Sequence, residues 1–163
     1  MKNSIIINQS MLVADSSGKP PEEIYSSWPL TGNQDVHKDH QGKLKPTTGA
    51  QAYRLDDFIH QNKIIKMHLI KVDVDGNEEE VFIGAQQSIE KFFPDILMEW
   101  SPCLTSETKQ TNILSWLLKM DYKVYNGYTG KPIYGGLATL SSMTPESGSI
   151  NILLSKFWDT RRQ

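Results

Sequence analysis

The sequence has few of the features that mark secreted, membrane or nucleic-acid-binding proteins. Cys103 is the only cysteine among 163 residues, so no internal disulfide can form and we expect a cytoplasmic location. No run of about 18 apolar residues occurs, so we expect no membrane-spanning helix. Lysine and arginine number 17 and aspartate and glutamate 19, a net charge of -2. This balance argues against nucleic acid or a membrane surface as a partner.

Two common kinds of binding site also lack support. No G-x-G-x-x-G pattern is present, and Gly135 and Gly136 are not followed by the Lys-Ser/Thr pair of a phosphate-binding loop. His37 and His40 are three residues apart, a spacing that metal sites use, but neither lies on a predicted helix. We therefore predict no phosphate-binding loop, and no metal site at these two histidines.

What is present is an ordinary globular composition, with 38% hydrophobic and 22% charged residues. The length predicts a single domain over residues 1–163. Residues 19–50 contain four of the eight prolines and few aliphatic side chains, which predicts a long loop. Residues 51–100 carry the clearest patterns and form the motif-bearing core of the predicted domain.

Strand-like and helix-like patterns alternate along the chain. Apolar runs predict strands and helical spacing of apolar residues predicts helices. The predicted strands cover residues 5–8, 11–14, 67–74, 95–100, 122–126 and 150–154, and the predicted helices cover 54–62, 78–92 and 106–119. The run at 67–74 is rich in β-branched residues and predicts a buried parallel strand. The order predicts an α/β fold with a mostly parallel sheet and, across a nonhelical link, an antiparallel hairpin at its edge.

Carboxylates follow two of these predicted strands. Asp73 and Asp75 end the first, and Glu99 lies near the end of the second. Ligands of open α/β sheets bind beside the carboxyl ends of the strands. If the two strands are neighbours, the three carboxylates converge there. Such a cluster can bind a divalent cation, or one member can act as a general base on a hydroxyl group.

A purely structural interpretation of the same segment stays open. Asp75 or Asn77 would then cap the helix that begins near Glu78. Gly76 would only provide a backbone angle that other residues rarely adopt.

The segments 55–59 (LDDFI), 69–78 (LIKVDVDGNE), 84–85 (GA) and 94–99 (PDILME) together are similar to those of the FkbM-type methyltransferases. The flanking segments 8–18 and 151–154 resemble that family more weakly. The resemblance implies a Rossmann-like fold, S-adenosylmethionine as cofactor, and O-methylation of a hydroxyl on a small molecule or sugar.

The resemblance and the strand ends together give the candidate site residues. Asp73, Asp75 and Glu99 are the candidate catalytic residues, with Asp73 nearest the transferred methyl group. Asp75 stands where the family usually has glutamate. Glu78 and Trp100 are the candidate substrate-binding residues. No residue is assigned to the cofactor and none to a metal.

The resemblance also leads us to expect that two strands of the usual sheet are missing. Methyltransferases of this kind open with a glycine-rich strand-turn-helix and a second strand ending in an acid, and the sequence begins after both. A sheet edge would then be exposed, which favours pairing with a second copy or a partner chain. Two alternatives stay open: a cofactor-free binding or interaction module, and a metal-dependent hydrolase site on Asp73, Asp75 and Glu99.

Overall fold

The computed structural model describes residues 10–12, 22–26, 43–49, 51–74, 76–101, 107–146 and 148–158. Within these ranges the chain forms eight strands and five helices. In chain order they are β1 (Ser10–Leu12), β2 (Glu23–Ser26), β3 (Lys43–Pro46), β4 (Gln51–Tyr53), α1 (Leu55–Gln61), β5 (Leu69–Val72), α2 (Glu78–Gly84), α3 (Gln86–Phe92), β6 (Asp95–Trp100), α4 (Glu107–Lys119), β7 (Lys123–Asn126), α5 (Gly136–Met143) and β8 (Ile150–Ser155). None of these helices is both long enough and apolar enough to cross a membrane.

A four-stranded sheet in the order β5-β6-β8-β7 forms the centre of the fold. β5 pairs with β6 in parallel, whereas β8 is antiparallel to both β6 and β7. β5, β6 and β7 therefore run in one direction and β8 in the other. The α/β class and the antiparallel β7–β8 pair are confirmed. The sheet is mixed rather than mostly parallel in its pairings, because β8 inserts between β6 and β7 instead of adding to the edge.

The core lies on one face of this sheet. Side chains alternate along a strand, and Ile96, Met98 and Trp100 of β6 all belong to the buried cluster. Phe82 of α2 and Leu114 of α4 pack into the same cluster. Asp95, Leu97 and Glu99 therefore point to the opposite face, which carries the polar residues considered below.

β5 differs from the buried strand predicted at 67–74. Of its four residues only Val72 is buried, and Leu69 is 59% exposed. In the described part of the sheet β5 pairs with β6 alone and lies at the edge. Its apolar character reflects one buried face and not two.

The helix predicted over 78–92 is two helices, α2 and α3, that meet at Ala85. The backbone of Ala85 leaves the helical region, with φ -114° and ψ 1°. The carboxylate of Asp56 on α1 accepts hydrogen bonds from the backbone N–H groups of Gln87, at 3.1 Å, and Ser88, at 2.8 Å. These bonds satisfy N–H groups in the first turn of α3, which lets a second helix begin there.

Two predicted irregular segments contain regular structure. Within 19–50, β2 and β3 pair antiparallel, and the rest of that segment lies largely outside the described residues. The alternating Lys-Leu-Lys sequence of β3 is a strand pattern. Between β7 and β8 the chain forms α5 instead of a nonhelical link, and Leu140 anchors this helix in the core at 0% exposure.

The strand predicted at 11–14 overlaps β1, which pairs in parallel with β4. The strand predicted at 5–8 lies outside the described residues.

Candidate functional site

The strand directions bring several polar residues to one edge of the sheet, here called the carboxyl edge: Asp73, Glu78, Glu99, Tyr128, Ser149 and Asn151. β5, β6 and β7 run in the same direction, so their carboxyl ends meet at this edge. β8 runs the other way, so its beginning lies there too. The condition set in the sequence analysis is met, because the strands that carry Asp73 and Glu99 to this edge, β5 and β6, are parallel neighbours. Asp75 lies outside the described residues.

Glu99 is the central carboxylate of this edge. It lies on the sheet face opposite the core and is half-buried. The Ser149 hydroxyl donates a hydrogen bond to its Oε1 atom. Asn151 is its partner in the β6–β8 ladder. Glu99 is therefore held in place by β8 while one side of it still faces solvent.

Asp73 and Lys71 form an exposed ion pair beside Glu99. The Lys71 Nζ atom lies 2.5 Å from Asp73 Oδ2, and the side chains are 59% and 46% exposed. The hydrogen bond to Asp73 and its negative charge raise the pKa of Lys71, with a smaller contribution in the same direction from Glu99. Lys71 thus carries positive charge next to two carboxylates. Asp73 is available to a ligand, but at high exposure its ion pair contributes little to stability.

Glu78 is buried under the turn that leaves β5. Its side chain is only 3% exposed, and its Oε1 atom accepts a hydrogen bond from the Gly76 backbone N–H at 3.2 Å. Burial raises the pKa of Glu78, hydrogen bonds from the backbone lower it, and the charge of Glu99 raises it further. Glu78 therefore stabilises the turn, and its burial argues against the predicted direct contact with substrate.

The capping role considered for this turn is only partly correct. Asn77 is the N-cap residue of α2, but its side chain makes no capping hydrogen bond and instead donates to the Val74 carbonyl at 3.1 Å. The unusual backbone predicted for Gly76 is confirmed, with φ 98°.

Trp100 does not line the carboxyl edge as predicted. It follows Glu99 directly, so its side chain points to the opposite face of β6. There it is 1% exposed and packs in the core. Its contribution is to the stability of β6, which carries Glu99.

Tyr128, Ser149 and Asn151 were not predicted as site residues. The Asn151 Nδ2 atom donates a hydrogen bond to the Tyr128 hydroxyl at 2.9 Å. Tyr128 belongs to the turn after β7, Ser149 directly precedes β8, and Asn151 is the second residue of β8. One feature of the sequence could have indicated these residues. If the last two strands pair antiparallel, the beginning of β8 lies beside the end of β7.

A shallow groove of about 180 Å³ lies elsewhere, between α2 and α4. Phe82, Ile83 and Trp116 provide much of its lining. None of the carboxyl-edge residues lines it, so we do not place the chemistry there.

The described residues contain no group of three histidine, cysteine, aspartate or glutamate side chains placed to hold a metal ion. A metal-dependent hydrolase site therefore has no support from this part of the chain.

Comparison with known protein families matches residues 7–124 to the family described as Methyltransferase FkbM domain. The match covers more than half of the chain. The chain belongs to the FkbM methyltransferase domain family. The segments that carry the carboxylates, 69–78 and 94–99, lie inside the matched range, whereas Tyr128, Ser149 and Asn151 lie beyond it. No curated protein and no solved structure matches the chain.

FkbM methyltransferases generally use S-adenosylmethionine, and the described residues supply only part of what that cofactor needs. A nucleotide-like cofactor in such a sheet rests on backbone N–H groups of a glycine-rich turn and on an acid for the ribose. The turn after β5 has one described glycine, Gly76, and its N–H is already bonded to Glu78. This turn therefore does not form an open cradle.

Proposed function

We propose that the carboxyl edge is the acceptor site of an S-adenosylmethionine-dependent O-methyltransferase that acts on a hydroxyl group of a small molecule or sugar. The family match supports methyl transfer as the reaction class. The observation that carries the proposal is the position of Glu99, a solvent-accessible carboxylate fixed by Ser149 at the end of a central strand. We also propose that the four-stranded sheet is part of a Rossmann-like fold, with which its mixed topology is compatible.

Glu99 is the group best placed to handle the acceptor hydroxyl. Ser149 engages Oε1, which leaves Oε2 to accept a hydrogen bond from the acceptor. A hydroxyl oxygen becomes a better nucleophile as its proton moves toward a carboxylate, and such general-base assistance contributes roughly 10²–10⁴-fold to rate. Lys71 adds a positive charge close enough to interact with Glu99, and this charge would attract an acceptor oxygen as it becomes negative.

Asp73 has a second role in this proposal. It lies on the neighbouring strand, exposed and paired with Lys71. An acceptor with more than one hydroxyl group would bond to Asp73 as well as Glu99, which would orient it against the sheet. The short Lys71–Asp73 contact would have to rearrange when the acceptor binds.

The test that separates an enzyme from a cofactor-free binding module is calorimetric titration with S-adenosylhomocysteine. The proposal predicts saturable binding in the micromolar range by the purified chain, with contributions from outside the described residues or from a second copy. A cooperative unfolding transition would first establish that the sample is folded. If the folded chain does not bind, the interaction module becomes the better account.

A further inference from the structure

An exposed tyrosine is held at the carboxyl edge by hydrogen bonds from two elements. Tyr128 is 81% exposed, yet its hydroxyl accepts a hydrogen bond from Asn151 Nδ2 at 2.9 Å. A single exposed aromatic residue is common on protein surfaces. One whose orientation is fixed while its ring stays open to solvent is a better candidate for ligand contact, because little side-chain entropy is then lost on binding.

The turn that carries Tyr128 is tightly bonded. Asn126 Oδ1 accepts hydrogen bonds from the backbone N–H groups of Tyr128, at 3.1 Å, and Thr129, at 2.9 Å, and from the Thr129 hydroxyl at 3.1 Å. The Gly127 N–H donates to the Asn151 carbonyl at 2.8 Å. A Cβ atom on residue 127 would lie 2.8 Å from that same oxygen, so only glycine allows this close approach.

The turn places the Tyr128 hydroxyl beside Asn151, the residue that faces the proposed catalytic Glu99. It follows β7, whose carboxyl end lies at the same sheet edge as that of β6. Asn151 holds the Tyr128 hydroxyl and is also directly opposite Glu99 in the β6–β8 ladder. Facing residues of such a ladder have Cα atoms about 4.5–5.5 Å apart. The order across the carboxyl edge is therefore Glu99, then Asn151, then Tyr128.

We propose that Tyr128 is a positioning residue whose ring packs against a ring of the acceptor while a hydroxyl on that ring reaches Glu99. The inference rests on the proposed function and adds the acceptor's chemical class: a hydroxylated ring with one apolar face. Phenolic and pyranose rings share this chemistry. Tyr128 lies beyond the family match at residues 7–124, so the match itself does not assign this contact.

Tyr134 provides a matched control. It is 79% exposed, nearly the same as Tyr128. The N–H of its neighbour Ile133 donates to the carbonyl of Val124, two residues before the end of β7. The chain has therefore turned back along β7 before it reaches Tyr134, which lies away from the carboxyl edge.

The test is a saturation-transfer NMR titration of the full chain with phenol, methyl glucoside and glycerol. The variants are Tyr128→Ala, Tyr128→Phe, Tyr134→Ala and Glu99→Gln. We expect at least one ring compound to bind the wild type more tightly than glycerol does. Tyr128→Ala should weaken that binding by about threefold to tenfold, the usual worth of a ring contact. Tyr128→Phe should retain most of the affinity and Tyr134→Ala all of it. The thermal midpoint should stay unchanged in all tyrosine variants.

The outcomes separate this inference from the proposed function. Equal binding by wild type and Tyr128→Ala, or an equal loss in Tyr134→Ala, would overturn the role of Tyr128. If neither ring compound binds the folded chain saturably, the role of Tyr128 is overturned as well, whether or not the chain binds S-adenosylhomocysteine. Binding that depends on Tyr128 in a chain that does not bind S-adenosylhomocysteine would support the ring site and remove the methyltransferase proposal. Preference for phenol or for methyl glucoside decides between the two ring types.

Discussion

The Asp56 carboxylate on α1 accepts a hydrogen bond from the backbone N–H of Ser88 on α3 at 2.8 Å, across 32 residues of sequence. Asp56 is 7% exposed and also accepts from Gln87. The first aspartate of the LDDF segment thus joins two helices and caps the second. Part of what makes this segment recognisable in the sequence is a requirement of folding and not of chemistry.

Replacing Asp56 with alanine should lower the free energy of unfolding by about 0.5–2 kcal/mol, the range for loss of a helix-capping side chain. The two backbone N–H groups would lose their partner, and that of the buried Ser88 lies where water has little access. Urea denaturation monitored by circular dichroism measures the change. Asp57→Ala is the matched control, because Asp57 is the exposed neighbour in the same helical turn. Equal effects of the two substitutions would remove the capping role.

Replacing Glu78 with glutamine should stabilise the protein at neutral pH, by an amount that shrinks as the solution becomes acidic. Burial raises the pKa of Glu78 in the folded state above its ordinary value of 4.5. The folded state therefore binds this proton more strongly than the unfolded state, and wild-type stability falls as pH rises from the ordinary value through the raised one. Glutamine stays neutral and keeps an oxygen for the Gly76 N–H.

Unfolding of wild type and Glu78→Gln from roughly pH 4 to pH 8 measures this difference. Glu90→Gln, an exposed substitution on α3, provides the comparison. A Glu78→Gln effect that is independent of pH, or that decreases as pH rises, would show that burial does not control this carboxyl group.

Tyr122→Phe should destabilise the protein by about 1–3 kcal/mol. The Tyr122 hydroxyl donates to the Pro94 carbonyl at 2.9 Å, and the side chain is 2% exposed. The substitution leaves a buried carbonyl without this donor, and an unsatisfied buried group costs about that amount. Tyr134→Phe, at an exposed position, should change stability little. Chemical denaturation of both variants measures the change in the free energy of unfolding. A Tyr122→Phe variant as stable as the wild type would mean that water replaces the lost hydrogen bond.

Local periodicity predicts the elements whose burial pattern is regular. β6 has the predicted bounds, Asp95–Trp100, because its alternating residues enter the core. α1 and α4 lie within the predicted ranges for the same reason. The break at Ala85 depends on Asp56, which is far away in sequence. α5 is anchored by Leu140, but its glycine, threonine and serine residues are typical of irregular segments, so the sequence did not predict this helix.

The sequence allowed prediction of those parts of the candidate site whose positions depend only on the order and direction of the strands. The parallel β5–β6 pair brings Asp73 and Glu99 to one edge, as expected. Alternation along β6 was also sufficient to place Trp100 opposite Glu99, and this signal was missed. Tyr128, Ser149 and Asn151 come from a turn and a reversed strand whose insertion between β6 and β7 no local pattern reveals.

The most direct test of the account is transfer of a labelled methyl group from S-adenosylmethionine to a panel of hydroxyl compounds. Wild type, Glu99→Gln and the exposed control Glu90→Gln should be compared at equal folded concentration. If Glu99 is the general base, the wild type and Glu90→Gln transfer the methyl group, and Glu99→Gln has a kcat about 10²–10⁴-fold lower. Equal rates for the two variants, or no transfer to any hydroxyl by the folded wild type, would contradict the account.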